Sequence, residues 1–334
     1  MAVRRILVAL DVTEGVVREA IRKRANLIVS HHPMLFRPMR TVNPERDPGS
    51  LVWQLAKSEI AVVAAHTNLD VTRGGTSFAL AETLGIEGAE FLRMSYQVQK
   101  KIVTFIPTDD ADRVARAMSE AGAGIIGNYD QCSFRAEGVG TFRGNAATSP
   151  SVGVAGRYER VGETRLEMAV PTWRVAAVVA ALRKEHPYEE PAFDVYPTEN
   201  LSNDYGMGVV GELRTALSLR QFLVLVRRKL RARSIRYAGI PRTRVKRIAL
   251  CGGSGSELMD DAARAGAHAF VTADVRYHTF HDAERTGMTI IDAGHHETEF
   301  PVVGAIVRRL RDRCPALRGS IDGARISTNP LRTM

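Results

Sequence analysis

Residues 4–32, RRILVALDVTEGVVREAIRKRANLIVSHH, set the pattern from which the fold of this chain can be predicted. The apolar run RRILVAL predicts a strand, and TEGVVREAIRKR predicts a helix whose N-terminus Thr13 can cap. NLIVS then predicts a second strand. Short buried strands that alternate with helices are typical of a mostly parallel sheet covered by helices on both faces.

The same alternation continues on both sides of the middle of the chain. A helix is predicted near SLVWQLAKSE and a strand at IAVVAA, and RVKRIALCGGSGSELMDDAARAGA predicts strand, glycine turn and helix. AHAFVTADV and MTIIDAG predict further strands, and PVVGAIVRRLRDRC predicts a final helix. We therefore expect residues 1–97 and 201–334 to form one discontinuous α/β domain.

The middle of the chain contains an internal repeat. In both KIVTFIPTDDADRVARAMSEAGAG and TRLEMAVPTWRVAAVVAALRKEHPY, a predicted strand runs into Pro-Thr and then into a predicted helix. The glycine-rich segment GNYDQCSFRAEGVGTFRGN separates the two copies. Two such strand-helix units usually fold into one ferredoxin-like α+β layer, so residues 98–200 are predicted to be an inserted domain of that kind.

Composition and length narrow the class of protein. The chain has 334 residues, 45% hydrophobic and 25% charged, which is typical of a globular protein with about two domains. The N-terminus lacks the apolar core of a signal peptide, and no stretch has the roughly 18–20 apolar residues of a membrane span. We expect a cytoplasmic protein. Cys132, Cys251 and Cys314 share no C-x-x-C spacing, which argues against a disulfide framework and a thiolate zinc site.

The net charge of +9 is unevenly distributed along the chain. Subtracting Asp+Glu from Lys+Arg gives 12 − 10 = +2 for residues 1–97, 12 − 14 = −2 for 98–200 and 22 − 13 = +9 for 201–334. The excess lies in RRKLRARSIRYAGIPRTRVKR, residues 227–247, which predicts either a solvated basic face or a site for phosphates. Tyr237 is its one aromatic residue. A nucleic-acid partner is therefore not expected.

Histidines and carboxylates cluster just after four of the predicted strands. In an open α/β sheet, ligands bind at the carboxyl ends of the strands, so side chains at these positions are brought toward one crevice. Six of the nine histidines lie there. The residues are His31 and His32 after NLIVS, His66 and Asp70 after IAVVAA, Asp274 and His278 after AHAFV, and His295, His296 and Glu299 after MTIIDA.

The types of these side chains indicate a metal site. Imidazole and carboxylate together suit Zn, Fe, Mn or Co, whereas Ca or Mg prefers oxygen ligands. His31 and His32 are adjacent in an extended chain and should point to opposite sides, which favours two neighbouring ions. His295 and Glu299 share one face if their segment is helical, and either Asp70 or Glu299 could bridge the ions.

We therefore predict two divalent metal ions held by a set of five residues. Those residues are His31, His32, Asp70, His295 and Glu299. His66, Asp274 and His278 are candidates either for further ligands or for residues that support the ligands. His281 and His296 are interpreted as residues outside the site.

The glycine turn CGGSGSE, residues 251–257, is a weaker motif. It follows a predicted strand and opens a helix, so its amides could hold a phosphate or a carboxylate, or the glycines could serve close packing. It lacks the G-x-G-x-x-G order and the Walker lysine. No G-x-S-x-G elbow is present in the sequence.

At these motifs the sequence resembles a known family, the dinuclear-metal-centre proteins named for a yeast NGG-interacting factor and known in bacteria as GTP cyclohydrolase I type 2 homologues. The matching pieces are LVALDVTEGVV, NLIVSHHPMLF, AAHTNLDV, ALCGGSGSELMDDA, TADVRYH and DAGHHETEFPVV. The resemblance implies that the five predicted ligands hold two metal ions, with His66 and His278 nearby, and that the protein assembles into toroidal homo-hexamers.

The resemblance extends to the insert and has two departures. GAGIIGNYDQCSF, EGVGTFRG and HPYEEPAFDVYP are similar to the insert of long family members and to PII-like and CutA-like trimeric modules. Tyr129, Cys132 and Glu189 could then line an effector pocket, or serve packing and trimer contacts. The family usually has a further N-terminal segment, which implies an upstream start or a domain without that edge. Ala273 stands where the family has glycine.

The leading hypothesis is a metal-dependent hydrolase that acts on a small-molecule nucleotide. By resemblance the reaction is GTP cyclohydrolase-like, in which water attacks the purine C8, the imidazole ring opens and formate leaves. His66 and His278 are the predicted proton carriers in that reaction. A two-metal phosphoesterase and a non-enzymatic metal-binding regulatory or scaffold protein are the alternatives.

Overall fold

The computed structural model describes residues 2–95, 98–240 and 244–332. The chain divides into a discontinuous unit, residues 1–94 with 203–334, and an inserted unit, residues 95–202. In the described part of the chain, no helix combines the length and the apolar character needed to cross a membrane.

The first sheet of the discontinuous unit is entirely parallel. Its strands are β1 (Ile6–Ala9), β2 (Leu27–Ser30), β3 (Ala61–Ala64) and β14 (Ile321–Gly323), in the order β14-β1-β2-β3. Helices α1 (Glu14–Arg22) and α2 (Gly49–Lys57) connect the strands β1, β2 and β3. The Thr13 side chain accepts a hydrogen bond from the amide of Val16, which confirms the predicted cap of α1.

The second sheet of the discontinuous unit is mixed. Its strands run in the order β10-β13-β12-β11-β9-β4; β11, β12 and β13 are parallel, and the outer pairs are antiparallel. Their bounds are β4 (Ile86–Met94), β9 (Gly206–Leu217), β10 (Arg236–Ala238), β11 (Val245–Ser254), β12 (Ala269–Ala273) and β13 (Thr289–Asp292). The α/β class is confirmed; the strands of this unit are divided between two sheets, and the antiparallel strands β4 and β9 belong to the second.

Helices bury the apolar faces of both sheets. α11 packs against β1 and β14 through Val302 and Val303, and α4 and α7 cover the mixed sheet through Leu80 and Phe222, which are fully buried. Each such side chain contributes about 1.5–3 kcal/mol on burial. The helices are α3 (Thr67–Asp70), α4 (Thr76–Leu84), α7 (Leu219–Leu230), α8 (Met259–Arg264), α9 (Tyr277–Thr286), α10 (His295–Glu299) and α11 (Pro301–Arg313).

The inserted unit is one antiparallel sheet with two helices on one face. The sheet order is β6-β7-β5-β8, and α5 and α6 bury Ile102, Ile106, Leu166 and Met168 against it. The elements are β5 (Gln99–Pro107), α5 (Ala111–Glu120), β6 (Phe134–Arg143), β7 (Tyr158–Pro171), α6 (Val175–Glu185) and β8 (Phe193–Pro197). This element order is that of a ferredoxin-like layer. The further likeness to PII and CutA modules stays a prediction.

Candidate metal centre

Two adjacent histidines emerge from the end of β2 and are held by hydrogen bonds to their Nδ1 atoms. His31 is fully buried, and its Nδ1 lies 2.8 Å from the carbonyl oxygen of Ala65. His32 Nδ1 lies 2.7 Å from the Asp11 carboxylate. A carbonyl and a carboxylate can only accept, so each Nδ1 is the donor. The Nε2 lone pair of each neutral ring is therefore available to a metal ion.

The second histidine segment follows β13. His295 and Glu299 lie on α10, so their segment is helical and the two side chains share one face. His295 Nδ1 donates to Asp274 at 2.6 Å, and His295 Nε2 lies 3.1 Å from Glu299 Oε2. Asp274 has a φ of +52°, a left-handed conformation that is uncommon for residues other than glycine. That backbone turns the Asp274 carboxylate toward the imidazole that it orients.

The two oxygens of Glu299 face different partners. Oε1 lies 3.8 Å from Nε2 of His31, which is itself 3.5 Å from Oδ1 of Asp70. Oε2 lies 3.0 Å from Nε2 of His32 and 3.1 Å from Nε2 of His295. Glu299 is only 5% exposed, so a buried carboxylate stands between two groups of potential ligands.

Several of these atoms are buried without a hydrogen bond. Among the described residues, His31 Nε2 and Asp70 Oδ1 have no hydrogen-bond partner, and Glu299 Oε2 has one only when His32 or His295 carries a proton on Nε2. Such unpartnered groups are rare in folded proteins, because each costs about 1–3 kcal/mol when it is left without a partner. A cation shared by imidazole nitrogens and carboxylate oxygens would satisfy all three, so the residues fit a metal ion.

The electrostatics of the cluster also favour added positive charge. The hydrogen bond to Asp11, with a contribution from Glu299, raises the pKa of His32 to about 10. Glu299, helped by Asp274, raises the pKa of His295 to about 9. Burial alone would raise the pKa of Glu299, but His295, His31 and His32 outweigh burial and hold that pKa well below its usual range. Without metal, protons supply the positive charge that a divalent ion would bring.

His66 lies beside the same cluster, just before α3. Its ring centroid is 5.3 Å from that of His31 and 5.4 Å from that of His32. One nitrogen of His66 lies close enough to a nitrogen of His31 and one of His32 for the three to share a metal ion. Burial, reinforced by His31, lowers the pKa of His66, so this imidazole is neutral near pH 7. The ring of Phe36, which is 77% exposed, lies 6.4 Å from His66.

The structure does not bring every candidate histidine into the cluster. Of the described residues, two overlapping groups have ligand atoms close enough to share an ion: His31, His32 and His66, and His32, His295 and Glu299. His278 lies on the exposed side of α9, where its ring contacts Tyr277. His281 also contacts Tyr277, and His296 stacks on Phe300.

Two residues of the site were missed by the sequence prediction. Asp11 follows β1 and accepts hydrogen bonds from His32 and from the Thr328 hydroxyl. Asp11 lies just past the end of a strand, so the rule that placed the other site residues could also have identified it. Gly253 has a φ of +67°, and a Cβ there would lie 2.2 Å from Glu299 Oε1, so this glycine makes room for the carboxylate.

Some groups of the glycine turn and of the basic segment are already bonded to other residues of the same unit. The amides of Gly252 and Gly253 donate to the hydroxyls of Ser77 and Thr298, so these two amides are already bonded, and an anion site formed by the other amides of the turn stays a prediction. In the basic segment, Arg236 pairs with Asp292, and other cations pair with acidic residues of the same unit. Residues 241–243 of that segment lie outside the described residues.

The fold and the site together define an α/β protein with a histidine and carboxylate cluster able to hold metal at the carboxyl ends of its strands. A family profile described as Duf34/NIF3 (NGG1p interacting factor 3) matches residues 1–330, so the chain belongs to this family. The resemblance found in the sequence motifs is thereby confirmed.

Relatives and solved structures agree with this assignment. The chain is 38% identical over 313 residues to the GTP cyclohydrolase 1 type 2 homolog of Bacillus subtilis (strain 168), covering 93% of this chain and 84% of the relative. It is 40% identical to the protein of that name from Halalkalibacterium halodurans, covering 88% and 79%. A crystal structure of a Bacillus cereus protein related to NIF3 superposes with a TM-score of 0.79 at 37% identity, covering 100% and 90%.

Proposed function

We propose that this protein is a hydrolase that uses two divalent metal ions. The proposal rests on the position of Glu299. Its two buried carboxylate oxygens face different sets of potential metal ligands. One ion would take His31, Asp70 and Glu299 Oε1, and the other would take His32, His295 and Glu299 Oε2. A bridging carboxylate of this kind suits a pair of neighbouring ions.

The supporting residues fix the tautomers that metal binding requires. The carbonyl of Ala65 and the carboxylates of Asp11 and Asp274 each hold one imidazole through its Nδ1–H. Such partners orient the ring and make the other nitrogen more basic. The mixture of imidazole and carboxylate suits Zn, Fe, Mn or Co, so all four metals are candidates.

The other histidines near the cluster suit a hydrolytic reaction. Bound divalent ions would activate water and polarise the bond to be broken. His66 is neutral near pH 7 and can therefore accept a proton at a ring nitrogen and return it to the leaving group. His278 remains a proposed second proton carrier, although its exposed position on α9 makes His66 the first residue to test.

A nucleotide is the proposed substrate class. Relatives bear the name GTP cyclohydrolase 1 type 2 homolog, which makes GTP the first compound to test. In that reaction, one water would add to the purine C8 and open the imidazole ring to a formamide, and a second water would release formate and leave the amine. Assembly of the chain into a homo-hexamer is a separate proposal, which light scattering can check.

The test combines metal analysis with product analysis. Wild-type protein is reconstituted separately with Zn, Fe, Mn or Co, its metal content is measured, and each form is incubated with GTP. We expect two ions per chain and formate release, both lost in the variant His31→Ala/Glu299→Ala. The matched control is His281→Ala, which removes a histidine outside the cluster and should change neither result.

The products separate the proposed function from its alternatives. Formate no higher than that of the double variant, in all four metal forms, would contradict the cyclohydrolase proposal. Inorganic phosphate in place of formate would indicate a phosphoesterase that uses the same ions. Two bound ions without turnover of GTP or of a panel of phosphoesters would favour a metal-binding regulatory or scaffold protein.

A further inference from the structure

The inserted unit contains a cavity of about 600 Å³ on the face of its sheet opposite the helices. The cavity exists because the residues of β6 that point to this face, Ala136, Gly138 and Gly140, carry almost no side chain. A volume of this size suits a small organic molecule. Its aromatic walls are formed by Phe105, Phe142 and Tyr188.

A buried carboxylate lies in this cavity. Glu163 stands opposite Gly138 on the neighbouring strand β7 and is 8% exposed. Its Oε1 accepts a hydrogen bond from the Tyr188 hydroxyl at 2.7 Å, and no hydrogen bond to Oε2 is formed by the described residues. A Cβ at Gly140 would lie 2.0 Å from Oε2, so the absence of a side chain there makes room for the carboxylate. Burial, with Glu163, raises the pKa of Tyr188, which keeps its hydroxyl a donor.

The lining of the cavity is negatively charged. Glu189 and Glu190 add two carboxylates to that of Glu163, whereas Glu137 pairs with Thr164 and points to the other face of the sheet. Arg165 is the one cationic side chain among the described lining residues. Its guanidinium donates to Glu167 at 2.8 Å and lies 5.7 Å from the centre of the Phe105 ring. The arginine is therefore already engaged, and Glu163 Oε2 is left to attract a ligand.

We propose that this cavity is a binding site for a small organic cation with an apolar body. The ammonium group of the ligand would donate to Glu163 Oε2, and its apolar body would lie against the aromatic walls. A charge-assisted hydrogen bond and the faces of aromatic rings both favour a cation there. Glu189, one of the residues predicted to line an effector pocket, is part of this lining, whereas Tyr129 and Cys132 are not.

The test uses 2-phenylethylamine as the probe and the full chain as the protein, with binding followed by NMR or calorimetry. Its neutral analogue 2-phenylethanol and the anion 3-phenylpropionate test the requirement for positive charge. We expect saturable binding of the amine at one site per chain, at least about tenfold tighter than the alcohol. Glu163→Gln should weaken amine binding by about 10- to 100-fold. Glu120→Gln, at the exposed end of α5, is the matched control.

A second pair of variants keeps the test decisive if Glu163→Gln does not fold. The nearest atom to a Cβ at Gly138 is 3.9 Å away, so Gly138→Ala places a methyl group in the cavity without collision. Gly162→Ala adds the same methyl to open space on β7. We expect Gly138→Ala, and not Gly162→Ala, to weaken binding of the amine. The proposal is overturned if the amine does not saturate below ~10 mM, binds no better than the alcohol, or is unaffected by Glu163→Gln and Gly138→Ala.

Discussion

Gly253→Ala tests whether a single missing side chain holds the metal ligand Glu299 in place. The added Cβ would lie 2.2 Å from Glu299 Oε1, whereas a non-bonded contact between carbon and oxygen is about 3.3 Å. The carboxylate must therefore move by roughly 1 Å, which exceeds the tolerance of about 0.5 Å for a binding constellation. We expect metal affinity to fall by about 10- to 100-fold.

Gly266→Ala separates this collision from backbone strain. Gly253 and Gly266 have φ values of +67° and +69°, and a Cβ at Gly266 meets no atom within 4 Å. Both variants should therefore lose about 1–2 kcal/mol from the free energy of unfolding, which lowers Tm by about 2–8 °C. Only Gly253→Ala should also lose metal affinity.

The assays are calorimetric Tm of the metal-free protein and metal affinity by competition with a chelator. Wild-type metal affinity in Gly253→Ala would refute the reasoning, because the collision with Glu299 would then have no effect on the ligand. A loss of metal in both variants would instead assign the effect to backbone strain. The contrast between the two glycines therefore decides between a steric and a conformational role.

Three further predictions concern stability. His186 Nε2 donates to Phe105, and its Nδ1 accepts from the Tyr188 amide; burial lowers its pKa, so stability is complete above pH 6.5 and falls as the pH drops below it. Urea midpoints followed by Trp173 fluorescence in a Trp53→Phe background should show this slope, and adding His186→Gln should remove it. Asn26→Ala leaves two backbone amides just before β1 without an acceptor. This change should lower the free energy of unfolding in urea by about 2 kcal/mol. Zinc at 1,000 times its Kd should stabilise wild-type protein by about 4 kcal/mol for each ion bound and leave the His31→Ala/Glu299→Ala variant unchanged, as thermal unfolding will show.

Local patterns in the sequence were sufficient to predict most of the individual strands and helices. The apolar runs at β1 and β2, the helical pattern of α1 and its Thr13 cap all appear in the structure, because each depends on the periodicity of neighbouring residues. The rule that ligands collect at the carboxyl ends of strands also placed His31, His32 and His295 near one another. That rule needs only the order of the elements.

Other features depend on contacts between distant segments, which periodicity does not record. The mixed character of the second sheet follows from the antiparallel pairing of β9 with β4 and β11. The bonded amides of the glycine turn follow from the approach of Ser77 and Thr298. His278 satisfies the strand-end rule, yet the course of α9 leaves it exposed.

The sequence by itself determined the class of the fold, the strand-end histidines and the chemical type of the site, since residue identity and spacing carry that information. Only the tertiary structure decided which oxygen of Glu299 faces which histidine, and that Asp11 and Gly253 shape the site. Only the tertiary structure showed that the glycines of β6 open a cavity beside Glu163. These relations depend on distances between residues that are far apart in the chain, and such distances are set by packing.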